Sequence, residues 1–235
     1  MRPVRASSLV DRVSNEIRRS ILAGELPPGK PFSIADLSSR LEVSHIPVRE
    51  ALRRLEAQGL VQLRPARSAV VSPLNVEDVR GIYHLRELIE GDLIGRAAEL
   101  VTDAQLTAAD AHLQGMARAT PASAGYWEHH EQLHWALLEP ATSTWSRRVL
   151  DQLWRANDRY APLAFAPVLA EVRGQAHALE AHGRIIEAMK VRSQEDARRE
   201  LLTHLHENEA LIVDKLQQML AISKTLNEQG DVLVA

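Results

Sequence analysis

The feature that most constrains the fold is the segment from Ser44 to Gly59, whose two ends and inner face are all marked in the sequence. Ser44 is of the type that caps helices, and Pro47 falls in the first turn, where its missing N–H costs no hydrogen bond. Apolar residues then recur at i, i+3, i+4 and i+7, which places them on one side of a helix: Val48, Ala51, Leu52 and Leu55. The segment therefore predicts a short amphipathic helix.

The neighbouring segments predict a winged helix-turn-helix. Leu9 to Ile21 carry an apolar residue at every fourth position, and Ser33 with Asp36 is a capping signature for a second helix. After Gly59, residues 60–63 and 69–72 have strand-like composition on either side of a turn. Three helices followed by a hairpin make the segment from Ser44 to Gly59 the recognition helix.

The distribution of charge indicates which part of the chain meets a polyanion. Residues 1–74 contain 12 Lys and Arg against 7 Asp and Glu, whereas the rest contains 16 against 24. A basic N-terminal part on an acidic body favours DNA binding by the first part alone.

Six polar residues are the candidates for contacting DNA. His45, Arg49 and Arg53 are four apart and line up beside the apolar face. An arginine near the start of a recognition helix can donate two hydrogen bonds to a guanine edge, and arginines farther along or in the wing suit phosphates. The alternative is a solvated helix face with Arg53–Glu56 type ion pairs. The candidates are Ser44, His45, Arg49, Arg53, Arg64 and Arg67.

Residues 8–74 resemble the DNA-binding domain of GntR-type bacterial transcription regulators. The resemblance rests on the runs ILAGELPPG at 21–29, PVREALRRL at 47–55 and GLV at 59–61. Arg49 matches an arginine that reads DNA in relatives, whereas His45 stands where the family usually has arginine. Glu42 stands where the family usually has glycine, so the turn is expected to be either differently shaped or strained by about 1–2 kcal/mol.

The remainder, residues 75–226, predicts an all-helical bundle followed by a tail at 227–235. Capping signatures occur at Asn75, Thr102 and Ser193, and no strand pattern is present. The fold class is therefore mainly α, with an N-terminal winged helix-turn-helix and a C-terminal helical effector and dimerisation domain. Helices of this length can enclose a cavity.

Four histidines in this bundle predict a metal site. His130 and His134 are i, i+4 and share one helix face. His182 and His204 each lie 11 residues from Ser193, so they sit at equal depth in a helical hairpin that turns there, about 16 Å from the turn. Four imidazoles suit zinc, nickel or copper. The alternative is four unrelated histidines in a chain that has ten.

The same region resembles the FCD type of GntR effector domain, which implies a ligand set of one aspartate and three histidines. His134, His182 and His204 match the histidines, and His130 stands at the aspartate. Either His130 is a ligand, favouring zinc or nickel, or water or the effector fills its place. Arg86 matches an arginine lining the effector pocket and would bind a carboxylate; the alternative is a surface arginine paired with Glu90 at i, i+4.

The combined interpretation is a DNA-binding regulator and not an enzyme. A cytoplasmic homodimer would repress from double-stranded operator DNA, with a small organic acid bound near the metal controlling affinity. Two other hypotheses stay open: the metal itself is the effector, or the histidines form a hydrolytic site, although four protein ligands would close such a site to catalysis. The chain has no cysteine, and its longest apolar run, residues 160–170, is short and broken by prolines, so no membrane span is expected.

Overall fold

The computed structural model describes residues 9–22, 25–65, 68–161, 164–165, 168 and 171–231, without the side chains of 22, 172 and 222–231. The chain divides into two compact units, residues 1–74 and residues 75–235. Within the described ranges, no helix combines the length and the hydropathy that crossing a membrane requires.

The first unit is a winged helix-turn-helix, as predicted. Its helices are α1 (Leu9–Leu22), α2 (Ile34–Arg40) and α3 (His45–Ala57), and its strands are β1 (Pro31–Ser33), β2 (Val61–Arg64) and β3 (Ser68–Val71). Strands β2 and β3 pair antiparallel and form the wing. The predicted cap of α2 is present, because the Ser33 hydroxyl accepts a hydrogen bond from the Asp36 N–H.

The strand β1 was not predicted. It pairs antiparallel with β3, so the sheet order is β1-β3-β2, and Phe32 lies opposite Ala69. A segment of three residues is too short to show an alternating pattern. Its conformation comes from pairing with β3, which no local sequence signal carries.

The turn between α2 and α3 adopts the strained one of the two expected forms. Glu42 has a φ of 53°, the left-handed conformation that favours glycine. The turn closes with a hydrogen bond of 3.0 Å from the Val43 N–H to the Ser38 carbonyl. The angle between the two helices is therefore maintained at some backbone cost.

The core of the first unit is built on the inner face of α3. Val48, Ala51, Leu52 and Leu55 are buried, as their spacing predicted. They pack with Ile17 of α1 and its neighbours in one apolar cluster, and burying each large side chain contributes about 1.5–3 kcal/mol. The opposite face of α3 is left for polar residues.

Within its described residues, the second unit consists of helices joined by turns and contains no strand. They are α4 (Val76–Leu100), α5 (Asp103–Arg118), α6 (Ala124–Leu138), a 3₁₀ turn (Glu139–Ala141), α7 (Thr144–Asn157), α8 (Val172–Lys190) and α9 (Gln194–Asp231). The predicted capping box of Thr102 and Gln105 is present, and Ser193 accepts from the Asp196 N–H. Asn75 accepts from the N–H of Glu77 and not of Asp78.

The predicted tail at 227–235 is corrected by the structure, because α9 continues to Asp231. Glu228 and Gln229 are good helix formers, and Gly230 is the first residue after Asn227 that disfavours a helix. Residues 232–235 lie outside the described part of the chain.

Helix α4 lies at the centre of the second unit, where it contacts α6, α7, α8 and α9. Its inner face is buried at Tyr83, Arg86, Glu90 and Leu93. Helix α9 runs along both α4 and α8. This packing brings side chains of four helices into one interior region, and that region contains the histidines.

Candidate DNA-reading helix and histidine centre

The outer face of α3 presents a cluster of exposed side chains at its N-terminal end. Ser44 is the N-cap residue, although its side chain makes no capping hydrogen bond, and His45, Ile46 and Arg49 are exposed. Within the described residues the Arg49 side chain has no hydrogen bond or ion pair, so its guanidinium is free to bind another molecule. A bidentate contact to a guanine edge requires such an unengaged guanidinium.

His45 is tied to the other helix of the helix-turn-helix. Its Nδ1 lies 3.1 Å from the Ser38 hydroxyl oxygen, and Ser38 is buried. The ring is therefore oriented from within the protein, and only Nε2 remains for an outside partner. A histidine held in this way offers at most one hydrogen bond to a base.

The predicted phosphate-binding arginines differ in their surroundings. Arg53 forms an exposed ion pair with Glu50 at 3.1 Å, and not with Glu56 as the alternative supposed. Arg64 is exposed at the end of β2. Arg67 lies outside the described residues. An exposed pair such as Arg53–Glu50 contributes about 0.3–0.5 kcal/mol and can be broken by a phosphate.

Ile46 is the residue of this surface that sequence reasoning missed. Its side chain is 74% exposed, on the first turn of α3 between His45 and Pro47. The periodicity of α3 could have found it, because position 46 is apolar but falls off the buried face. An exposed apolar side chain on a recognition helix can contact a thymine methyl group.

In the second unit, the structure brings all four predicted histidines together. One ligand atom from each of His130, His134, His182 and His204 lies within 4.8 Å of those of the others. The Nε2 atoms of His134 and His182 are 3.3 Å apart. The ring centroids of His182 and His204 are 4.4 Å apart. The i, i+4 pair on α6 and the equal-depth pair on α8 and α9 thus face one point.

The tautomer of His182 follows from its hydrogen bond to the backbone. Its Nδ1 lies 2.6 Å from the Ala178 carbonyl oxygen. A carbonyl oxygen only accepts, so Nδ1 carries the proton. Nε2 of the neutral ring then presents a lone pair to the centre, which is the arrangement that second-shell hydrogen bonds give to metal-binding histidines.

The protein interior keeps these imidazoles neutral. Burial lowers the pKa of His182 to about 4. Burial, and after it the neighbouring histidines and Arg86, hold the pKa values of His130, His134 and His204 well below 6.5. A cation binds only the unprotonated ring, so near neutral pH these imidazoles are in the form that could accept one.

Asn208 is a second residue that sequence reasoning missed. Its amide nitrogen lies 3.0 Å from His204 Nε2. The N–H therefore covers the lone pair that a cation at Nε2 would need, and the amide must turn away when a cation binds there. Position 208 follows His204 by one helical turn, and this i, i+4 spacing was the available signal.

Arg86 is buried and paired with Glu90, so it is not a surface arginine. Its Nε and Nη2 donate to the Glu90 carboxylate at 2.7 and 3.5 Å. Trp154 Nε1 donates to the same carboxylate at 2.8 Å. Glu90 is fully buried, unlike in the predicted surface pair. The pair fixes the guanidinium in the wall of a cavity.

That cavity has a volume of about 310 Å³ and opens beside the histidines. Its lining includes Arg86 and three of the four imidazoles, those of His130, His182 and His204. The remainder is largely apolar and aromatic, with Tyr126, Trp127, Phe165, Ala181 and Leu211. An apolar enclosure with a few convergent polar groups is the usual form of a small-molecule site.

A wider groove of about 630 Å³ between α5, α8 and α9 contains no histidine. Its charged side chains pair with one another, as in Arg184 with Glu200 at 3.2 Å and Lys190 with Asp110 at 3.1 Å. The smaller cavity combines enclosure with donor groups, so we place the candidate ligand site there.

Three other histidines lie outside the cluster of four. His177 pairs with Glu207 and His206 pairs with Glu87, both at the surface. His129 Nδ1 lies 3.2 Å from His112 Nδ1, between α5 and α6.

Comparisons with known families match both units. The bacterial regulatory proteins of the gntR family match residues 9–71, and the FCD domain matches residues 81–207. The HTH-type transcriptional repressor RspR of Escherichia coli K12 is 28% identical over 193 residues, which cover 81% of this chain and 83% of that protein.

Solved structures share the fold. E. coli McbR/YncC superposes with a TM-score of 0.74 at 20% identity, covering 88% of this chain and 98% of that one. A GntR-family transcriptional regulator of Pseudomonas syringae pv. tomato DC3000 superposes with a TM-score of 0.56 at 24% identity, covering 92% and 89%.

Proposed function

We propose, since this chain belongs to the GntR family of bacterial regulatory proteins and carries an FCD domain, that it is a repressor whose affinity for operator DNA is controlled by a small organic acid. The family is one of DNA-binding transcription regulators and not of enzymes. The acid would bind beside a divalent transition metal held by the four histidines. The observation that carries the proposal is the opening of that histidine cluster onto a cavity whose wall contains Arg86.

The donor set fits such a cation. Zn–N bonds of about 2.0–2.1 Å at tetrahedral angles put two ligand atoms about 3.3 Å apart. The separation of His134 Nε2 and His182 Nε2 is 3.3 Å. His130, His134, His182 and His204 would hold the metal, and nitrogen donors favour zinc or nickel over manganese. When bound, the metal would supply a Lewis-acidic positive charge for a carboxylate.

The protein's own contribution to the acid site is orientation and exclusion of water. Glu90 and Trp154 fix Arg86, so a carboxylate meets a guanidinium that needs no reordering. Tyr126, Trp127 and Phe165 cover the apolar part of the cavity. A buried charge-assisted contact is stronger than the same contact in water.

Operator recognition is assigned to α3 and the wing. Arg49 would read a base, with His45 and Ile46 beside it, and Arg53, Arg64 and Arg67 would bind phosphates. A homodimer would hold two half-sites, as helix-turn-helix proteins do. In support, α4 and α7 expose large apolar side chains that a second copy can cover: Leu85, Leu88, Trp145 and Val149. The repressor role is supported by the name of the relative RspR.

The acid must bind the DNA-free and DNA-bound forms with different affinity, because linkage allows no other route to control. The test measures operator binding by the purified full chain. Binding is monitored by the fluorescence anisotropy of labelled DNA from the region upstream of its own gene. The chain is compared metal-free, zinc-loaded, nickel-loaded, and with each metal plus a panel of organic acids.

Release of the operator only when metal and an acid are both present supports the proposal. An operator response to metal alone, unaffected by any acid, replaces it with the hypothesis that the metal is the effector. If the Arg86→Ala variant still releases the operator at the same acid concentration as the unchanged chain, the placement of the acid site is contradicted.

A further inference from the structure

Among the described residues, the buried charged side chains beside the histidine centre are one positive and one negative. Arg86 supplies one positive charge and Glu90 one negative charge, and their side chains are 7% and 0% exposed. Their hydrogen bonds at 2.7 and 3.5 Å make them an internally neutral pair. The pair can therefore orient an anion, but it does not need an anion to neutralise its own charge.

The other charged groups near the cavity lie at its exposed rim, where Glu207 carries a negative charge and His177 is charged only when protonated. His177 lies 3.4 Å from Glu207, and both are well exposed. Arg184, which acts on His204 from outside the lining, pairs with Glu200 at 3.2 Å. Water screens such exposed groups, so the rim adds little net field to the interior.

The ligand set itself contributes no negative charge. All four donors are imidazoles, which bind a cation in their neutral form. Among the described residues, the cluster contains no carboxylate that could act as a ligand. A bound dication would therefore bring two positive charges into a buried region whose own groups sum to zero.

Burying uncompensated charge is unfavourable unless a counter-charge enters with it. We infer that the effector is a doubly charged anion, a short dicarboxylate, whose two negative charges neutralise the cation at the four imidazoles. This inference rests on the proposed function and adds to it the charge of the ligand.

The cavity has a place for each carboxylate. One carboxylate can approach the cation on the face lined by His130, His182 and His204, where the cavity opens. The other can accept from Arg86 N–H groups that are engaged neither by Glu90 nor by Tyr83. The volume of about 310 Å³ is at the small end for ligand sites and suits a short chain.

The test compares acids of equal length and different charge on the zinc-loaded full chain. Isothermal titration calorimetry at low salt measures succinate against succinamate and glutarate against glutaramate, the monoamides having one negative charge. We expect at least one dicarboxylate to bind tenfold or more tightly than its monoamide. Zinc content is measured on every sample by elemental analysis.

Two variants change the interior charge in opposite directions. His130→Asp adds one negative charge to the ligand set, and we expect the preference for dicarboxylate to fall about tenfold. Glu90→Gln removes one negative charge from the interior, and we expect the preference to rise. His84→Asp is the matched control, because His84 is exposed on α4 and does not line the cavity; its preference should equal that of the unchanged chain.

Equal affinity for dicarboxylates and monoamides overturns the inference while leaving the proposed function intact. A dicarboxylate preference that neither His130→Asp nor Glu90→Gln alters also overturns it. If His130→Asp does not retain zinc, Glu90→Gln alone decides the matter. Failure of the unchanged chain to bind zinc, or any acid, is a failure of the proposed function instead.

Discussion

The Nε2 atoms of His134 and His182 lie 3.3 Å apart, and because His182 donates from Nδ1 to the Ala178 carbonyl, its Nε2 can only accept. If His134 is neutral with its proton on Nδ1, two lone pairs face each other across this distance. In that tautomer a shared cation would remove the repulsion, and the separation fits two nitrogen ligands of the metal centre that we propose.

Metal removal is expected to destabilise the protein. At free zinc 100 times above its dissociation constant, binding contributes about 2.7 kcal/mol. For a chain of this size that corresponds to a fall in Tm of roughly 5–10 °C after chelation. Differential scanning calorimetry with and without a chelator measures the change. His182→Ala should abolish the difference, and the surface variant His206→Ala should retain it; an equal response in both variants would contradict the site.

The metal-free protein is expected to lose stability in mild acid. The pKa of His182 is about 4 in the folded state and near 6.5 when unfolded, and those of His130, His134 and His204 are also lowered by burial. Below pH 6.5 the unfolded chain takes up protons that the folded chain does not, so the free energy of unfolding falls from pH 6.5 toward pH 4. Urea unfolding at several pH values measures this slope. His134→Phe, which cannot titrate, should reduce it; an unchanged slope would show that acid acts elsewhere.

Arg49 is expected to carry base specificity. Arg49→Ala should lose about 1–3 kcal/mol for the specific operator and little for random DNA. Arg53→Ala is the matched comparison one helical turn away. It should weaken binding to both DNAs alike, and it should reduce the slope of log K against log salt concentration by about one unit. Anisotropy titrations at several salt concentrations separate the two. Equal losses on both DNAs for Arg49→Ala would make it a phosphate contact.

His45 is expected to set a departure from the usual family operator. Because Ser38 holds Nδ1, only one ring nitrogen can reach a base. His45→Arg should shift preference toward guanine at the facing position, since arginine donates twice there. Ser38→Ala should leave the preferred base unchanged but weaken the preference, because the ring is no longer oriented. Selection from a randomised operator library checks both, and an unaltered binding profile for His45→Arg would remove residue 45 from base reading.

Glu42 is expected to be a site of removable strain. Its φ of 53° costs a non-glycine residue about 1–2 kcal/mol. Glycine avoids this cost but loses more conformational entropy on folding, which offsets part of the gain. Glu42→Gly should raise the free energy of unfolding by about 0.5–1 kcal/mol. Glu42→Ala removes the same carboxylate but keeps Cβ, so it should bring no gain. A gain in both variants would assign the effect to charge instead of backbone.

The features set by periodicity and capping were predictable from sequence. The buried face of α3, the capping box at Thr102 and the convergence of four histidines all follow from fixed spacing along helices. Strand β1 was missed because its pairing with Ala69 is a long-range contact. The continuation of α9 to Asp231 was missed because the end of a helix depends on weak propensities.

The partners of the site residues were less predictable than their positions. Arg86 and Glu90 were recognised as an i, i+4 pair, but only packing by Trp154 makes the pair buried. The contact of His45 with Ser38 joins two helices across a turn whose shape had two possible forms. Sequence spacing predicts which residues share a face, and it carries little information about what lies opposite them.

The three helices that supply the histidines also differ in how they are held. Helix α9 lies along α4 and α8, whereas α6 contacts α5 and α4. A cation bound by all four rings would cross-link residues 130 to 204 of the chain and make α6, α8 and α9 open as a single cooperative segment. Metal occupancy would then be visible as a joint slowing of amide hydrogen exchange in these helices, including turns that lie far from any histidine.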